Sequence, residues 1–147
     1  MATSVWGQVR QDTIDRVGRI VPTLDDRQRW RHTPDSRSGR TDTSSIRSYT
    51  TREVQAREHV GVAGGGEREE QWAVVLTVQY IADEAVSDRI GCDHGDLIAA
   101  LQPISTYPSG LRVRMVEQPE IERDDETGRV TARWPIRCTF RYAMTLV

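Results

Sequence analysis

Not one of the 20 basic residues in this 147-residue chain is a lysine. The bias fits a GC-rich coding sequence, and its physical consequence is that every positive side chain is a guanidinium, suited to bidentate contacts and to interfaces. Two cysteines, Cys92 and Cys138, are too few for a disulfide framework and too far apart for a CxxC site, so reduced, buried thiols are expected. No apolar run approaches the roughly 18 residues that cross a bilayer, and MATSVWGQVRQDT has neither the charged start nor the apolar run of a signal peptide. A cytoplasmic protein with no membrane partner is expected. The net charge of -2 excludes a global basic field, so any nucleic-acid binding must come from a local patch.

What is present fits one domain spanning 1–147 with a sizeable core. Hydrophobic residues make up 37% and charged residues 29%, which is polar without being the composition of a disordered chain. From Ser4 to Val21, Trp6, Val9, Thr13, Val17 and Ile20 recur at helical spacing, and Pro22 ends the pattern. Residues 23–51 are nearly all Arg, Asp, Ser and Thr, with Trp30, Ile46 and Tyr49 as isolated large groups. A stretch of that length without an apolar face reads as a flexible or extended arm. Arg52 to Ala63 alternates as a strand, AGGG reads as a hairpin turn, and QWAVVLTVQYI reads as a central strand apolar on both faces.

The next segment, ADEAVSDRIGCDHGDLIAALQP, holds one or two short helices, with Asp93 as a candidate cap and Leu97, Ile98 and Leu101 facing inward. GLRVRMVEQ and RWPIRCTFRY then read as a second antiparallel hairpin, joined by the polar connector PEIERDDETG. The expected class is α+β: helix, hairpin, helix, hairpin, with a mostly antiparallel four-stranded sheet, helices on one face and a long polar arm.

The glycine run lacks the Lys-Ser/Thr pair of a P-loop, and no GxSxG or dinucleotide fingerprint occurs. CDHGD, with Cys92, Asp93, His94 and Asp96, invites a metal or a small hydrolase, but it lacks ligand spacing and lies where a helix N-terminus attracts carboxylates. No catalytic, cofactor or metal residue is therefore assigned, and the protein is expected not to be an enzyme.

The arginines of the last two strands carry the functional question. With the apolar residues facing the helices, Arg112 and Arg114 would share the outer sheet face with Arg133, Arg137 and Arg141. Five guanidinium groups on one face repel one another unless carboxylates, anions or solvent intervene. That face is either a solvated surface or one that meets an acidic partner or lines a channel for DNA. Pro135 cannot donate to a ladder, which suggests an edge strand open to pairing with another chain.

The N-terminal amphipathic helix, WAVVLTVQYI, LIAALQ and RWPIRCTFRY together resemble, in order and strand character, the tail terminator and tail-completion proteins of long-tailed bacteriophages. The resemblance implies a structural virion protein of the tail or neck, assembled in the host cytoplasm. Such a subunit forms a hexameric ring on the tail tube, ends tail polymerisation and offers a surface for head-tail joining. Its partners would be copies of itself, the tail tube protein and a head-completion or connector protein, with DNA passing the lumen without specific binding. A closed ring needs two complementary faces per subunit. Arg112, Arg114, Arg133, Arg137 and Arg141, with Trp30 and Tyr49 of the arm, are the candidate interface. The alternatives are a head-completion or neck adaptor joining portal to tail, and a nucleic-acid-binding module using the arginine face.

Overall fold

The computed structural model describes residues 5–33, 46–59, 67–103 and 111–143, with the side chains of 5, 6, 55–59, 67–70, 112 and 140–143 outside that description. In chain order the elements are α1 (Val5–Gly18), β1 (Arg31–His32), β2 (Ser48–His59), β3 (Glu67–Ile81), α2 (Val86–Leu101), β4 (Leu111–Val116), β5 (Glu120–Asp124) and β6 (Arg129–Ala143). The α+β class holds, with both expected hairpins: β2 pairs antiparallel with β3, and β4 with β6. The glycine turn expected between β2 and β3 lies outside the described residues.

The sheet is mostly antiparallel as expected, but the count of four strands does not hold. The sheet is mixed and six-stranded, in the order β1-β2-β3-β6-β4, with β5 also on β6. One extra strand, β1, comes from the polar arm and runs parallel to the start of β2. The other, β5, comes from the connector, because β6 is 15 residues long and β4 pairs only with its second half. β5 takes the first half, from Glu120↔Arg133 to Asp124↔Arg129.

Consequently β6 is not an edge: β3 covers one side along its whole length, and β4 and β5 share the other. Pro135 is tolerated for a local reason. In an extended strand the N–H and C=O of one residue point to the same side. The Glu117 N–H donates to the Pro135 carbonyl at 2.9 Å, so the proline nitrogen also faces the junction between the end of β4 and the start of β5, where the ladder is interrupted.

α1 buries Val9, Thr13 and Val17 as its periodicity requires, and the following residue Ile20 is buried too. Expected as one or two short helices, α2 is a single one of 16 residues. The two helices and the inner sheet face enclose Tyr49, Val74, Leu76, Val78, Tyr80, Leu97, Leu101, Val130, Ala132, Trp134, Ile136 and Cys138. The 15-residue strands β3 and β6 run about 50 Å at ~3.3 Å per residue. A 16-residue helix spans only roughly 24 Å, so the helical layer covers about half of the sheet's length.

The ends of the arm are core, which corrects an arm spanning all of 23–51; residues 34–45 lie outside the described residues. Trp30 is 3% exposed and Tyr49 1%, each edge-on to a neighbouring aromatic ring: Trp30 contacts Tyr49 at 5.8 Å and Trp134 at 6.3 Å between centroids. They are therefore not surface contacts for a partner. A polar sequence hides this, because two aromatic residues among charges show no period.

Candidate interaction surface

Three polar constellations stand out, and the first two tie the fold together. Arg47, from the arm, is fully buried against Asp93 of α2: its Nε lies 3.0 Å from both carboxylate oxygens, and Nη2 2.9 Å from Oδ1. The remaining guanidinium hydrogens go to the carbonyls of Leu24, Asp25 and Gln28 at 2.6–3.2 Å, so the segment after α1 is moulded around one side chain. Tyr80 donates its hydroxyl to Asp93 at 2.6 Å. Burial raises the Asp93 pKa against the opposing pull of Arg47 and Tyr80, and burial, then Asp93, raises that of Tyr80.

This geometry corrects Asp93 as a helix cap and splits the CDHGD cluster. The helix start is instead held by Asp83, whose side chain accepts the Ala85 N–H at 3.0 Å. Asp96 accepts from the Thr23 N–H and hydroxyl at 2.9 and 2.6 Å. His94 Nδ1 accepts the Trp134 indole N–H at 3.1 Å. Cys92 and Cys138 are free thiols, Cys138 buried and Cys92 half-buried; burial pushes the Cys138 pKa up to about 11. Consecutive residues of this helix point in different directions and each serves a different neighbour. No group of three or more metal-ligating side chains comes together among the described residues.

The second constellation corrects Arg114. A register shift between Leu111 and Val113 reverses the alternation of β4, so Arg114 points under the helices and Val113 and Met115 point outward. Arg114 is 2% exposed and reaches Asp12 of α1 at 2.5 Å, while Asp12 also pairs with Arg16 at 3.1 Å. Arg16 in turn donates to the Ala100 and Pro103 carbonyls at the end of α2. The face expected to carry Arg112 and Arg114 beside the β6 arginines thus loses Arg114 to the core, and the side chains of Arg112 and Arg141 lie outside the described residues.

The third constellation is the outer face of the sheet. Directly paired residues share a face. One cross-strand row therefore holds Val54, Ala73, Arg137 and Met115, the next Arg52, Val75 and Pro135, and the next Thr50, Thr77, Arg133 and Glu120. Met115 is 50% exposed, Val113 48% and Val54 36%, while Ala73, Val75 and Pro135 are half-buried between them. Apolar side chains thus recur across the sheet, with Arg52 and Arg137 standing among them. Two arginines there meet carboxylates of their own chain: Arg133 bonds Glu122 at 2.9 Å, and Arg137 pairs with Glu117.

A strict two-residue alternation does not reveal what β4 and β5 contribute to this face. Val113 and Met115 sit on the wrong side of a strict alternation, and only the bulge turns them out. A signal for β5 was present: Glu120, Glu122 and Asp124 recur with period two, as they do along one face of a strand.

Compared with known proteins, the chain matches no protein-family model, and no curated protein matches it.

Proposed function

We propose that this chain is a structural assembly subunit of a tailed bacteriophage, forming a closed oligomeric ring that caps the tail tube, ends its growth and offers a surface for joining the head. The observation that carries this reading is the apolar group of Val54, Val75, Val113, Met115 and Pro135 on a sheet face that the helices leave uncovered. Exposed apolar side chains grouped on one face among charged ones are characteristic of protein contacts. The pairing of the two β6 arginines Arg133 and Arg137 favours a protein partner over nucleic acid. Arg133 and Arg137 are already matched by Glu122 and Glu117, whereas phosphate binding relies on guanidinium groups that release counterions from the nucleic acid. The mechanism is competitive capping: the ring occupies the end of the tube where the next tube ring would add, and presents a different surface outward.

Electron microscopy of the protein mixed with purified tail tubes tests this directly. Rings at tube ends, and shorter tubes when the protein is present during polymerisation, are the expected result. A protein that ignores tubes and binds a portal ring instead would replace tube capping with a neck-adaptor role, and one that binds neither sinks both.

A further inference from the structure

The sheet ends in opposite charge on its two sides. At one side, exposed Arg27, Arg29 and Arg31 lead into and occupy β1. At the other, the span Glu117 to Arg129, containing β5 and its turn, carries six acids against two arginines; Glu117 and Glu122 are engaged by Arg137 and Arg133, which leaves Glu120, Asp124, Asp125 and Glu126 as the outlying charge. All five β5 residues are exposed, as are Asp125 and Glu126 of the turn. Asp25, next to the basic side, is held by Arg89 at 2.8 Å, and the exposed Asp26 adjoins Arg27.

These two charged sides lie at the same level of the sheet. Following the pairing outward, His32 lies beside Tyr49, Tyr49 beside Val78, Val78 beside Ala132, and Ala132 beside Ile121. One straight cross-strand row thus begins in the basic strand and ends in the acidic one, four strand spacings or about 19 Å away. β1 runs parallel to β2, and each later pairing in this row is antiparallel, so β5 runs opposite to β1. A second copy placed beside the first, with its sheet in the same orientation, would bring its β1 antiparallel to the first copy's β5.

We infer that copies of this chain associate head-to-tail, the acidic β5 hairpin of one docking on the Arg27–Arg31 segment of the next. This rests on the reading of the chain as a self-assembling subunit and names the contact that joins neighbours. Its occupant is a second copy because one surface supplies acids where the other supplies guanidinium groups, at matched height and on opposite sides of the molecule. The contact is heterologous, so it propagates from copy to copy and closes into a ring if each step adds a fixed rotation.

Charge-swap variants test it. One variant carries E120R, E122R and D124R; the other carries R27E, R29E and R31E. Each opposes like charges at every contact, so self-association measured by sedimentation should weaken at least ~10-fold in either alone. A 1:1 mixture restores opposite charge at both kinds of contact and should recover assembly. Wild-type association should also weaken as salt is raised, since exposed pairs are screened over about 8–10 Å at physiological ionic strength. Circular dichroism checks folding, and the milder pair D125R and R27E, both outside the strands, serves if a triple variant misfolds.

Reversal variants that assemble like the wild type, or a mixture that fails to recover, would overturn this contact and leave ring assembly standing by another surface. A wild-type protein that stays monomeric at every concentration, with and without tail tubes, overturns the contact outright. Charge-dependent assembly that never caps tubes would support the contact while removing the tail-capping function.

Discussion

Arg47 illustrates how one side chain can organise a polar segment. Removing either member of a buried ion pair leaves an uncompensated charge, so Arg47→Met or Asp93→Ala should each cost about 3–5 kcal/mol in urea unfolding. Tyr80→Phe removes one hydrogen bond to the carboxylate and should cost about 2 kcal/mol. Replacing Arg47 and Asp93 together by Met and Leu should recover much of the loss, because no charge is then left stranded. His32 makes a pH-dependent contribution. It packs against the Tyr49 ring at 5.4 Å between centroids, and its Nε2 lies 3.2 Å from the Thr51 hydroxyl. Burial first, and the Arg10 charge second, hold its pKa below 6.5. The unfolded chain therefore takes up this proton more readily than the folded one. The associated stability is fully present above pH 6.5 and is lost as pH falls through the folded pKa. An NMR titration should place His32 below 6.5, and His32→Gln should flatten the acid limb of the stability profile.

Among the elements, the β5 hairpin depends on its turn. Gly128 has φ +66°, and its carbonyl accepts the Ala82 N–H at 2.9 Å, linking the turn to the end of β3. A Cβ at this position would meet no atom within 4 Å, so Gly128→Ala tests conformation without a clash. It should cost about 1–2 kcal/mol, read as a lower midpoint in chemical unfolding with an unchanged slope. This turn is not visible as such because PEIERDDETG is polar apart from Pro119 and Ile121, and loops and solvated edge strands share that composition. The two central strands were legible for the opposite reason: their inner faces supply Val74, Leu76, Trp134 and Ile136, whose alternation follows from burial on one side.

For the whole molecule, the outer sheet face and the charged edges answer to different variants. Val113→Ser with Met115→Ser alters two half-exposed side chains, so stability should change by about 1 kcal/mol or less. Binding to tail tubes should fall sharply if the apolar group is the tube-facing surface, as a pull-down with purified tubes would show. Folded variants that still cap tubes normally would assign that group to another contact. Comparing them with the edge reversals separates docking on a partner from closure between copies.

The sequence by itself determined the helix that buries Val9, Thr13 and Val17, the paired long strands, the α+β class and the inward face of β6. Each follows from a hydrophobic period that local backbone geometry imposes. It could not determine the number of strands, because β1 and β5 are edge pieces whose pairing depends on partners distant in sequence. Nor could it determine which arginines face outward: a one-residue register shift in β4 carried Arg114 under the helices to Asp12 and turned Val113 and Met115 to solvent. Burial of Trp30, Arg47 and Tyr49 was likewise decided by tertiary contacts, since an ion pair or an aromatic cluster formed across the fold leaves no period in the chain. The charge of the two sheet edges was written in the sequence from the start. Only the order of the strands placed those charges on opposite sides, at one level, where another copy could meet them.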